Sequence, residues 1–241
     1  MFFLLYLPTA LILFYAAAAV LPAVFFMRWI YNSDSVEPEP PELLKKLLLG
    51  GVGAVLISMV LEGILDGVFG AVYPEGNQAL RAALYAFLVV AVVEEGSKYY
   101  FLRRFTWKHP AFNYRFDGIV YAAFVSLGFA ALENVSYVFR FGLSVALPRA
   151  CFSIPGHLAF SVAMGTFYGE AKLLNRAGHP AASRFCSVMA YVAAVCMHGF
   201  YDACAMTGTT RSSAVLLAFI VFLYFFIWKT VRWQAAHDVP V

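Results

Sequence analysis

Long apolar runs, broken by short polar stretches, repeat along the whole chain. Each run holds about 20 residues or more, enough to cross a hydrocarbon layer of roughly 30 Å. They predict seven spans, at approximately 2–28, 44–72, 79–103, 116–140, 146–173, 182–206 and 212–233. Ten-residue segments of alternating apolar and polar character are absent, which argues against a β-barrel. The pattern therefore predicts an all-α, polytopic membrane helix bundle, one integral membrane domain over residues 1–241. The longest break, residues 31–42, is acidic and proline-rich and reads as a solvated linker. No internal repeat is evident, which weighs against an inverted-repeat transporter.

Composition agrees with the pattern. Hydrophobic residues make up 62% of the chain and charged residues 13%, and the mean hydropathy is +0.75. A soluble domain carries about 45–50% apolar and about 25% charged residues. No block of five or more like charges occurs, so no nucleic-acid partner is expected; the lipid bilayer is the partner the composition requires. The first charged side chain is Arg28, and the apolar run before it is too long for the core of a cleavable leader. The first segment is expected to stay as an anchor. The four cysteines form no Cys-x-x-Cys pair and read as small packing residues, with a Cys151–Cys204 disulfide as the alternative.

Loop charges give an orientation. Of the seventeen lysines and arginines, Arg81, Arg140, Arg149 and Arg211 fall on one side, Lys98 lies inside a span, and the other twelve fall on the opposite side. Positive charge marks the cytoplasmic face. The N-terminus is thus expected outside, the C-terminus and the 31–42 linker in the cytoplasm, and the protein in the inner or plasma membrane of the cell.

Against this background one feature stands out. Residues 82–93 carry no charge, and then Glu94 and Glu95 arrive together. In a bilayer each costs roughly 2.5–3.5 kcal/mol on insertion scales. Lys98 follows at four and three residues, a spacing that lets it reach either one. One cation for two carboxylates is expected to leave one of them unpaired and free to take a proton.

Other polar residues lie at comparable depth. Glu62 and Asp66 are four apart in the second span; Glu133-Asn134 sits in the fourth, His157 follows Pro155-Gly156 in the fifth, and His198 and Asp202 are four apart in the sixth. Glu62, Glu133 and His198 each stand 14–18 residues beyond the last cytoplasmic base of their span. That places them roughly 21–27 Å from the cytoplasmic face. A single polar chamber open to the outside explains these positions, because such groups face a bundle interior or a water-filled cavity. Asp117, at the cytoplasmic start of the fourth span, is expected to cap that helix or to pair with Lys98. Asn134 reads as a helix–helix hydrogen bond, Gly165-x-x-x-Gly169 as a close helix contact, and Asp202 as the group that orients His198.

Two hydrolytic chemistries suit this set. In one, a glutamate acts as general base on water, while histidine, asparagine or backbone donors stabilise the oxyanion. In the other, His157, His198 and a carboxylate such as Asp202 bind zinc, which activates the water. No His-Glu-x-x-His occurs, so the paired glutamates favour the metal-free route. The same groups would also serve a proton or cation path in a transporter.

Four motifs in order then carry a resemblance: Glu94-Glu95-Gly-Ser-Lys98, the string from Phe116-Asp117-Gly118 to Glu133-Asn134, His157, and His198-Gly-Phe-Tyr-Asp202. Over roughly residues 85–205 the chain resembles the PrsW family of intramembrane proteases, with the first two spans and the last outside the resemblance. That family is similar, in its Glu-Glu and His-x-x-x-Asp elements, to the wider glutamic CAAX-type protease superfamily, which typically shows Glu-Glu-x-x-x-Arg and Phe-x-x-x-His. Here the cation is Lys98, one position earlier, and Ser153 stands four before His157, which argues against prenyl-protein processing. The resemblance implies a proteolytic core over approximately 79–206. It implies an endopeptidase that cuts single-span membrane-anchored substrates, such as anti-sigma factors, near the outer face. Glu94, Glu95, Glu133, His157 and His198 would be catalytic, supported by Lys98, Asn134, Asp202, Asp117 and Glu62. No cofactor is expected on the favoured route.

Overall fold

The computed structural model describes residues 2–73 and 76–241, with side chains from Thr9 onward. Seven helical rods follow one another. They are α1 Phe2–Ser33, α2 Pro41–Val72, α3 (residues 78–106), α4 Asp117–Phe141, α5 Leu143–Arg176, α6 Pro180–Thr207 and α7 Thr210–Ala236. Among the described residues there is no strand, only an isolated bridge between Tyr114 and Pro240. The seven expected spans are all present, most of them longer by a few residues at their ends. Six rods are long and apolar enough to cross a membrane by composition alone; α3 falls short because it carries the charged residues around Glu94.

Local chemistry sets the ends of these rods. Proline opens α2 and α6, at a position where its missing N–H costs nothing. The Asn77 side chain accepts from the Ala79 and Leu80 N–H groups at the start of α3. Thr209 and Ser212 cap each other reciprocally at the start of α7. The turn between α6 and α7 holds Gly208 at φ 63, a left-handed conformation that suits glycine.

α4 and α5 form the centre of the bundle and carry most of its buried residues, while α1 and α6 are largely exposed. Large apolar side chains on the outer rods, such as Leu13, Phe25, Val60 and Val221, point outward. In water such a surface would aggregate; in lipid it is the solvated face. α4 and α5 touch through glycine. A Cβ on Gly165 would come within 2.5 Å of the Gly118 carbonyl oxygen, and one on Gly118 within 2.7 Å of the Gly165 oxygen. Gly169 packs as closely against the Arg115 backbone, so the Gly165-x-x-x-Gly169 expectation holds. Gly165→Val is therefore expected to lower stability by about 1–3 kcal/mol or more, seen as a lower unfolding temperature in detergent. An unchanged unfolding temperature would mean that the two rods separate freely.

Several sequence expectations change. The linker between α1 and α2 is only residues 34–40, and it is not simply solvated. Glu39 is 1% exposed and touches the Tyr121 hydroxyl, while Glu37 accepts from the Asn113 side chain. Burial first, and then the charge of Asp117, push the Glu39 carboxyl up to about 9. All four cysteines are free, so Cys151 and Cys204 form no disulfide.

Candidate active site

The site is assembled where α2, α3, α4, α5 and α6 meet in the half of the bundle that holds the C-terminal ends of α2, α4 and α6. Loop charge assigns this half to the outside. A cavity of about 730 Å³ opens there, lined among others by Glu62, Glu94, Glu133, His157, His198 and Asp202. Glu95 and Lys98 lie behind its wall, 0% and 1% exposed.

Two irregular turns aim the site residues. In α3, a π-helical segment Ala86–Ala91 precedes the regular segment Val92–Thr106, on which Glu94, Glu95 and Lys98 stand. In α5, a second π-helical segment, Arg149–Ser153, precedes Ile154–Arg176, which begins just before His157. A residue inserted into a helix of 3.6 residues per turn rotates everything after it by about 100°. Such bulges are common at functional sites. Tyr191 donates to the Val92 carbonyl and Tyr224 to the Cys151 carbonyl, so hydroxyls from α6 and α7 bind backbone oxygens beside both irregular turns.

Lys98 is the hub. Its ammonium has three N–H groups and three acceptors: Glu94 Oε2 at 3.1 Å, Glu95 Oε1 at 2.9 Å and His157 Nδ1 at 3.2 Å. The Phe129 ring closes the remaining side, 3.8 Å from Nζ to the ring centre. The expectation that one carboxylate is left unpaired is corrected, because Lys98 bridges both. The asymmetry between the glutamates lies elsewhere. Glu94 faces the cavity, whereas Glu95 is sealed behind it, with Oε1 on His198 Nδ1 at 2.8 Å and Oε2 without a partner.

The two histidines are held differently. Because an ammonium can only donate, His157 Nδ1 accepts from Lys98, and its proton sits on Nε2, which donates to Glu133 Oε2 at 3.0 Å. Glu133 is also paired with Arg149 at 2.8 Å. His198 has carboxylates on both sides, Glu95 on Nδ1 and Asp202 Oδ2 at 3.3 Å from Nε2. Asp202 thus contacts His198, as its spacing suggested, and Glu95 contacts the other ring nitrogen. The Phe160 ring stacks on His198, with centroids 4.9 Å apart and planes at 18°.

The supporting residues divide. Asn134 donates to the Ala19 carbonyl of α1 and accepts from Arg149, so it is a helix–helix contact that also steadies Arg149. Glu62 lines the cavity, but its helical neighbour Asp66 lies with Arg81 in an adjoining groove, with Tyr85 lining both. Asp117 is not part of the site. It accepts from the backbone N–H groups of Asn113 and Tyr114 at the start of α4, sixteen residues or roughly 24 Å from Glu133. It makes no ion pair with Lys98 and does not cap its own helix. Arg149 is the residue that sequence reasoning missed as a site component. A lone arginine at a span end reads as an orientation marker, and nothing in the local pattern points it at Glu133.

One ligand atom from each of Glu94, Glu95, His157 and His198 lies within 4.8 Å of the others. Asp202, expected beside the histidines as a ligand, is outside this set. Two imidazoles with carboxylates are a donor set that zinc accepts. The charges agree with it. Lys98 pairs with Glu94 and Glu95, Arg149 with Glu133 and His198 with Asp202, so the four carboxylates outnumber the two permanent cations.

The family described as PrsW family intramembrane metalloprotease matches residues 39–229. This match is wider than the resemblance read from the motifs, since it takes in α2 and most of α7. Protease PrsW of Geobacillus kaustophilus is 34% identical over 186 residues, 77% of each chain. Protease PrsW of Clostridioides difficile is 31% identical over 212 residues, covering 86% of this chain and 85% of the relative. Protease PrsW of Bacillus subtilis is 28% identical over 210 residues, 87% of this chain and 90% of its own. No solved structure matches the chain.

Proposed function

Because this chain belongs to the PrsW family of intramembrane proteases, we propose that it cleaves membrane-anchored proteins in an outward-opening chamber, by a water that Glu94 activates. The observation that carries this reading is the convergence of Glu94, Glu133, His157 and His198 on one cavity inside a membrane bundle. Of the adjacent pair, Glu94 is the one that lines the cavity, so it takes the proton as the water attacks the scissile carbonyl. Lys98 and Glu95 fix its position from behind. His198, set between Glu95 at 2.8 Å and Asp202 at 3.3 Å, is the group placed to hand a proton to the leaving amine. His157, its tautomer set by Lys98, offers the Nε2 proton to Glu133 and to a developing oxyanion.

The resemblance implies single-span substrates, such as anti-sigma factors, that present an extended segment near the outer face of the plasma membrane. The test uses the protein in proteoliposomes with a single-span reporter, reading fragments by mass spectrometry and proton or cation flux in parallel. Fragments are expected without flux. Flux that depends on Glu94, with no fragment, would instead identify a transporter.

The donor set also fits a metal, and the family's description names one. Glu94, Glu95, His157 and His198 would hold it, and zinc bound there would supply a water of lowered pKa. The ammonium of Lys98 already engages three of these four residues, which favours the route without metal. Cleavage is accordingly expected to survive phenanthroline and EDTA. Loss of cleavage that added zinc restores would establish the metal-bound form as the active one.

A further inference from the structure

A second set of carboxylates lies at the opposite, cytoplasmic end, where three connecting segments meet. Asp34 follows α1, Glu39 precedes α2, and Asp117 starts α4; one oxygen from each lies within 4.8 Å of the others. Asp238, from the tail after α7, lies close enough for its charge to act on Asp34; it accepts from the Phe116 N–H, and the tail is pinned there by Arg115 N–H to Val239 O and Val241 N–H to Asn113 O.

The cluster is short of donors. Glu39 is almost fully buried, yet its Oε1 accepts no hydrogen bond. Asp34 Oδ2, Asn113 Oδ1 and Asp238 Oδ2 are buried and unpartnered as well. The Tyr121 hydroxyl touches both Glu39 Oε2 and the Ala111 carbonyl oxygen, and it has one proton for two acceptors. Arg115 donates to the His237 carbonyl and lies 3.8 Å from Glu170, and its charge also reaches Asp238. Buried oxygens left without a hydrogen-bond partner are costly, and a cation offsets the cost.

We infer that Asp34, Glu39 and Asp117, with the neighbouring oxygens of Asn113 and Asp238, bind a hard divalent cation of the calcium or magnesium class. The donors are all oxygen, with no imidazole or thiolate among them, which selects such a cation over zinc. Carboxylates and a side-chain carbonyl from several segments are the ligands these ions take. Binding would tie the α1–α2 linker and the C-terminal tail to the start of α4. The inference does not depend on the protease reading.

The test uses the full chain in detergent, treated with EDTA and dialysed, then titrated separately with calcium and magnesium chloride. Calorimetry reads binding, and thermal unfolding reads its coupling to the fold. One saturable site is expected for at least one of the two ions, with a rise in unfolding temperature. Asp34→Asn, at a half-buried position that keeps its shape, and Glu39→Gln are each expected to weaken binding at least about tenfold. Glu94→Gln is expected to bind as the wild type does. Absence of binding by both ions would overturn the inference, as would binding that survives the Asp34→Asn, Glu39→Gln double variant. Binding lost only in Glu94→Gln would overturn it too, by placing the ion in the catalytic chamber.

Discussion

Glu94→Gln is expected to lower the cleavage rate of a single-span substrate by about 10²–10⁴-fold, the usual worth of a general base. Glutamine keeps the shape and can still accept from Lys98, so insertion and folding should change little. The loss should fall on kcat, because the base acts in the transition state and contributes little to substrate binding. Glu95→Gln provides the contrast. Glu95 is sealed from the cavity and touches only Lys98 and His198 through Oε1, so its loss acts by releasing those two groups. It should reduce activity and lower the unfolding temperature together. Full activity in Glu94→Gln, measured in protein shown to be folded, would remove Glu94 from the role of base.

Lys98→Met is expected to cost about 3–5 kcal/mol of stability, the range found when one partner of a buried ion pair is removed. The physical reason is specific. Lys98 is 1% exposed and is the cation that both Glu94 and Glu95 contact, so methionine fills the space but leaves two buried carboxylates facing each other. Thermal unfolding in detergent checks the size of the effect. A double-mutant cycle checks its cause: adding Glu95→Gln to Lys98→Met should recover part of the loss, because it removes one of the stranded charges. If the double variant is less stable by the full sum of the two single losses, Lys98 supports the fold through packing on Phe129 rather than through charge.

The relation of sequence to structure is uneven, and the site shows where it breaks. Contacts within one helix were legible. Lys98 to Glu94 and Glu95, and His198 to Asp202, follow from i,i+3 and i,i+4 spacing, and both exist. Gly165-x-x-x-Gly169 was legible for the same reason. Spacing did not reveal how a side chain is shared. It allowed Lys98 one partner at a time, whereas the packed site supplies three acceptors, one of them on a different rod. It also made Glu62 and Asp66 equivalent, although only Glu62 enters the cavity. Asp117 was counted among the supporting residues because the motif string that carries the resemblance runs through it, although its carboxylate serves a turn.

The sequence by itself determined that this protein is a seven-rod membrane bundle, which face its charges prefer, and which residue types reach the membrane interior. Those follow from the cost of exposing backbone and charge to lipid, which acts on each segment separately. The tertiary structure alone decided that Glu94 meets the cavity while Glu95 does not, that Arg149 holds Glu133, and that the linker and tail close over a buried acidic cluster. These depend on how rods rotate and abut. Two π-helical turns set that rotation in α3 and α5, and they leave no mark in the pattern of apolar and polar residues.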